Sequence, residues 1–146
     1  MKLSLPWNTT SLADGIGILG ATLCALHCVG FPILLVLGSV LPASFLSGEA
    51  FHQAMLWLVV PAAVIAFSFG CRVHRDRWVL ILGVIGVVGL VASGTVLHDV
   101  LGETGETVGT LLSAAILITA HVRNHRLCRA AACRHEDAEE APSGAA

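Results

Sequence analysis

The sequence predicts an all-α integral membrane protein, a four-helix transmembrane bundle with both termini on the cytoplasmic side. Three observations carry that prediction. Hydrophobic residues make up 55% of the 146 residues and charged residues 12%, about half the charged content of a soluble domain. Four apolar runs are separated by short polar breaks, and none has the polar face that a water-facing helix requires. All eight Lys and Arg residues fall on one side of those runs.

The first run extends over 16–40 and the second over 51–71. The third covers 78–97 and the fourth 107–122. A helix needs about 20 apolar residues to cross the hydrocarbon core, which the first three satisfy. The fourth is shorter and leans on His121 and Arg123 at its edge. The first run is too long for the core of a cleaved signal peptide, and only Lys2 precedes it as a base, so it reads as a retained span. Residues 1–15 then form an N-terminal cytoplasmic segment, 16–127 the four-span domain, and 128–146 a cysteine-containing tail. That tail is rich in Ala, Asp and Glu from Ala130 onward and is expected to be unordered away from any bound metal.

Orientation follows from the basic residues. Arg72, Arg75 and Arg77 lie between spans two and three, and Arg123, Arg126, Arg129 and Arg134 follow span four. The loop near 41–50 has no base, and that between spans three and four carries Asp99, Glu103 and Glu106. Positive loops stay in the cytoplasm, which places both ends inside. A net charge of −2 and the lack of a basic stripe give no support for nucleic-acid binding. Trp7, Trp57 and Trp78 are candidate interface anchors. Span three is rich in glycine, and its Gly face suits close helix packing, within the bundle or against a second copy of the chain.

The chemistry concentrates in the cysteines and histidines. Cys24 and Cys28 stand one helical turn apart, where side chains share a face, and His27 lies beside them. Pro32 follows and should bend the helix near Cys28. Soft thiolates select soft cations such as Cu(I), Zn(II) or Hg(II). A lone thiolate is costly in lipid, so the pair should remain as thiols until a cation displaces the protons. A divalent ion with two thiolates is neutral overall, the form best tolerated in a membrane. Counting from an entrance near Ile16, the pair falls in the cytoplasmic half of span one. The plainer reading is small apolar packing residues, with His27 weighing toward a site. Cys128 and Cys133 form a second candidate pair, whose flanking arginines favour the thiolate. Cys71 is more simply a packing residue, and His74 a solvated one. His52 and His98, at the outer ends of spans two and three, are weaker candidates for a site of metal admission, His52 fitting better as a wet-loop residue. His121 and His125, four apart at the inner end of span four, are weaker candidates for metal binding or relay.

In these pieces the chain resembles the MerC family of mercuric-ion transport proteins. The resemblance rests on Cys24-Ala-Leu-His27-Cys28 with Pro32, on His98-Asp99-Val-Leu-Gly102-Glu103, and on His121-Val-Arg-Asn124-His-Arg126-Leu127-Cys128, and covers about residues 12–133. It implies uptake of Hg(II) across a bacterial inner membrane, relayed from Cys24/Cys28 to Cys128/Cys133 and on to cytoplasmic thiol acceptors. This chain departs from the nearest mercury transporters in the wider spacing of its first pair and in the His27 it encloses. The metal ion would be cargo, with no resident cofactor and no enzyme activity expected. Two other readings remain at this level: a membrane thiol oxidoreductase, disfavoured because all five cysteines lie in or near the cytoplasmic half, and a haem- or metal-binding membrane sensor using His27, His98 or His121. The sequence contains no nucleotide-binding motif to drive transport.

Overall fold

The computed structural model describes residues 7–36 and 49–140; side chains at 7–8, 31–32, 34–36, 49–50, 71–74, 98 and 132–140 lie outside that description. Four helices are present among these residues: α1 (Trp7–Val36), α2 (Glu49–His74), α3 (Arg77–Ala92) and α4 (His98–Glu140), with a π-helical turn at Ser93–Leu97 closing α3. Each contributes a segment long and apolar enough to cross a membrane: Thr9–Gly30, Phe51–Gly70, Arg77–Leu97 and Asp99–Ala131.

The outer surface is unlike that of a soluble bundle, while the interior mixes a small apolar core with polar side chains. Leu12, Leu19, Leu23, Leu26 and Ile33 project outward from α1, and Leu80, Val84 and Val88 do so from α3. The buried set includes Thr10, Asp14, Ser93, Thr110, Ser113, His121 and Asn124. With hydrocarbon as solvent, apolar side chains gain nothing by hiding, whereas polar groups must find partners inside.

The helices run up and down. Gly20 meets Val59, Gly83 meets Phe67, and Gly86 lies against the backbone of Leu117. α4 packs along both α1 and α3, and α1 along α2; α1 and α3 stand diagonally opposite. Small residues make these approaches close: a Cβ at Gly86 would come within 3.0 Å of Leu117 Cβ and 3.1 Å of its backbone.

Short joints reverse the chain. Arg75 takes a positive φ of 52° between α2 and α3. Asp76 then caps α3, accepting from the backbone N–H of Trp78 at 2.8 Å and Val79 at 3.2 Å. Its other oxygen accepts from Arg123 Nη2 at 2.8 Å and Nε at 3.2 Å, tying the α2–α3 joint to α4. Arg123 beside it holds the Asp76 carboxyl below the usual carboxylate range, and the two capped N–H groups act in the same direction. At the other end α4 breaks at Gly102, whose φ of 69° and ψ of −172° suit only glycine.

Two expectations change. Helix α1 is already formed at Trp7, and its spanning segment starts at Thr9, ahead of Ile16. The physical reason is that the Asp14 carboxylate finds hydrogen-bond partners in His121 and Asn124 inside the bundle, which lets an ionisable residue lie within a span. Secondly, α4 continues to Glu140, through the alanine-rich stretch read as unordered; Ala has the highest helix propensity. Pro32 lies within α1, whose helix runs on to Val36. The expected end of span one at Val40 and the base-free loop at 41–48 lie outside the described residues.

Candidate metal centre

Cys24 and Cys28 occupy the inward face of α1 and are 2% and 8% exposed. The helix register sets their depth. Cys28 Sγ lies 3.3 Å from His52 Nε2, in the first turns of α2, and His52 in turn meets Glu106 of α4. All of these are at the bundle end that carries the Gly102 turn, away from the α2–α3 joint and its arginines. The expectation that the pair sits in the half nearest the basic loops is therefore corrected: the earlier start of α1 moves it to the opposite half. The argument against a thiol oxidoreductase from sidedness loses its premise for this pair.

His27 stacks on Phe51 with ring centroids 4.0 Å apart, and its ring is 5.6 Å from that of His52. The donor atoms of His27, Cys28 and His52 lie within 4.8 Å of one another. Cys24, one turn before Cys28, is the adjacent thiol. Behind His52, Glu106 Oε1 lies 3.3 Å from Nδ1. A carboxylate on Nδ1 favours the tautomer that donates there and turns the Nε2 lone pair toward Cys28. Metal-ligating histidines are typically held in this manner. One thiol and two imidazoles from α1 and α2, backed by a carboxylate from α4, form a mixed S/N set suited to a soft or borderline cation.

Sequence reasoning weighed His52 as a wet-loop histidine and gave Glu106 no role in a site. The legible signal was that His52 and Glu106 both border base-free connections, which places them at one end of the bundle. Of the other candidates, Cys128 is buried at the far end of the bundle, about 18 residues or roughly 27 Å of helix beyond Thr110. Side chains at Cys71, His74, His98 and Cys133 lie outside the described residues. His125 Nδ1 is 3.4 Å from Ser11 Oγ.

His121 belongs to a second polar cluster, between α1 and α4. Its Nδ1 is 2.8 Å from Asp14 Oδ1. The Asn124 amide donates to both Asp14 oxygens, at 3.1 and 2.9 Å, and to the Ala66 carbonyl at 3.2 Å. Phe67 lies against the His121 ring, with centroids 4.5 Å apart. His121 Nε2 faces Gly17, where an added Cβ would clash with the ring, and has no hydrogen-bond partner among the described residues. Asp14 escaped sequence reasoning because it precedes the first apolar run. The spacing Thr10, Asp14, Gly17, Ala21, Cys24, Cys28 continues one helical face and could have revealed it.

Neither the curated proteins nor the solved structures yielded a match to this chain. The family of the MerC mercury resistance protein does match, over residues 14–126, a stretch that contains the whole Cys24/Cys28/His52/Glu106 cluster and the Asp14–His121 pair, and stops short of Cys128 and Cys133. With four membrane-spanning helices and a match over most of its length, the chain belongs to the MerC mercury resistance protein family.

Proposed function

We propose that this protein takes up a soft metal ion, Hg(II) first, across the bacterial inner membrane by passing it between paired thiols. The observation that carries the reading is the convergence of Cys28, His27 and His52 within 4.8 Å, with Cys24 one turn away, at the bundle end remote from the basic residues. Taken with the positive-inside rule, which puts the basic end and both termini in the cytoplasm, this makes the cluster the outward-facing capture site. Asp99 and Glu103, exposed at the same end, attract cations toward it.

Capture exchanges protons for metal. The Cys28 thiol can donate to His52 Nε2, and a cation arriving at the sulfur displaces that proton. Cys24 supplies the second thiolate, which leaves the complex neutral and so compatible with lipid. Cys128, and after it Cys133, serve as receiving thiols on the cytoplasmic side, from which soluble thiols remove the ion. The protein acts as a carrier with no enzymatic step, and trapping by thiols drives the flux inward. Membership of a mercury-resistance family supports Hg(II) over Cu or Zn.

The test is uptake of radiolabelled Hg(II) by cells expressing the wild type or Cys24→Ser, Cys28→Ser and the double variant. Uptake by the wild type, with each variant reduced to background, is expected. Undiminished uptake by the double variant, inserted at equal level, overturns the reading.

A further inference from the structure

The Asp14–His121 pair has no part in the capture site. Asp14 is 1% exposed and His121 0%, inside a bundle whose outer surface is hydrocarbon. Ionisable groups so placed are expensive and mark ion or proton pathways. Its hydrogen bonding is also incomplete in a particular way. Asp14 is well supplied: His121 Nδ1 at 2.8 Å and the Asn124 amide on both oxygens. His121 Nε2 is not, facing Gly17 with no acceptor among the described residues. A neutral imidazole donating from Nδ1 leaves a net negative charge buried. A protonated imidazole neutralises the pair but buries an N–H with nothing to receive it. Each protonation state leaves one demand unmet, whereas an ordinary structural bridge between helices is satisfied in one state.

Its surroundings leave that balance to the pair itself. On α1 the neighbours are Thr10, Ser11 and Gly17. From α2 come the Ala66 carbonyl and Phe67. α3 offers Arg77 only at its exposed start, and Asp76 before it is engaged with Arg123 of α4. On α4, past Arg123, the next ionisable group is His125, one turn toward the basic end and half-buried against Ser11, and Cys128 lies further on. Toward the thiol pair, the next small residues of α1 are Gly17, facing His121 of α4, and Gly20, facing Val59 of α2.

We infer that Asp14 and His121 form a proton-exchange site on the transport path, holding one proton at rest and yielding it toward the basic end as the cation moves along the α1–α4 seam. The ligand is a proton, and the passing cation replaces it as the countercharge to Asp14. No bond other than an N–H or O–H is made or broken. The inference rests on the uptake reading and adds a consequence to it: acid on the cytoplasmic side competes with the metal.

Proteoliposomes of oriented full-length protein test it, with exterior pH fixed, potential clamped by K⁺ and valinomycin, a trapped small thiol inside, and Hg(II) as the probe. Interior pH is the variable. Wild-type initial uptake should fall on interior acidification, by up to about tenfold per pH unit for one proton. Asp14→Asn and His121→Gln should retain only the shallower dependence of the trapped thiol itself, with Hg(II)–thiolate absorption at the outer site unchanged. Asp14→Glu, still ionisable, should keep the steep dependence and serves if the neutral variants insert poorly. Equal pH dependence in the wild type and Asp14→Asn, or its loss in a well-inserted Asp14→Glu, overturns the inference while leaving uptake intact. No wild-type uptake at any interior pH overturns both.

Discussion

Glu106→Gln isolates the carboxylate behind the capture site. The substitution keeps shape and a hydrogen-bonding oxygen but removes the charge that steadies the His52 Nδ1–H. Loss of such an outer partner typically lowers metal affinity by about 10- to 100-fold, equivalent to roughly 1.4–2.7 kcal/mol. The structure argues for the lower end. The Glu106–His52 contact is 3.3 Å and the two side chains are 18% and 16% exposed, so solvent screens part of the interaction. About tenfold weaker binding is therefore expected, and a larger loss for His52→Ala, which removes a ligand. Binding is measured on purified protein in detergent by titrating Hg(II) against a competing small thiol and following sulfur-to-mercury charge-transfer absorption. Glu103→Gln is the control, because it removes the same charge from the same bundle end at an exposed position. If Glu106→Gln and Glu103→Gln are indistinguishable, general electrostatics suffices and the orienting role of Glu106 is wrong. If His52→Ala binds like the wild type, His52 is not a ligand.

Three further outcomes follow from the packing and the charges. Gly17→Ala drives a methyl into the His121 ring, which Asp14 and Phe67 hold in place, and should cost about 1–3 kcal/mol, read as a lower melting temperature in detergent; an unchanged melt would mean the α1–α4 seam is loose. Leu26→Ala, on the outward face of α1, should leave that melt within about 0.5 kcal/mol, and a large loss would place this face in an interface. Because Arg123 lowers the Asp76 carboxyl, its contribution to stability is complete above the unfolded carboxylate value near pH 4 and disappears as pH falls through the lower folded value. Arg123→Gln should thus be less stable than the wild type at neutral pH and converge with it in acid, and a constant gap across the acid range would exclude the ion pair as the cause.

The spans were legible because lipid demands length and apolar content, both of which are local properties of the sequence. Depth along a span was not. It depends on where the helix starts, and that was decided by a partner 107 positions away, His121, which lets Asp14 enter the bundle. The same distance effect hid the full capture site. Cys24, His27 and Cys28 announce themselves by spacing on one helix, whereas His52 and Glu106 join them only through the packing of α2 and α4 against α1. Asn124 read as an ordinary polar residue at a helix end until its amide was found between Asp14 and the Ala66 carbonyl.

The continuation of α4 to Glu140 bears on how the two tail cysteines can work. Positions 128 and 133 are five residues apart, which on a helix separates them by about 140° around the axis. One ion cannot be shared between positions so arranged while the helix stays wound. On the proposed uptake reading, the tail thiols would therefore act singly, as successive stations along the helix, or the last turns would have to melt for them to chelate together. In the second case binding would be coupled to local unfolding, and release to rewinding of the helix would push the cargo off toward soluble acceptors.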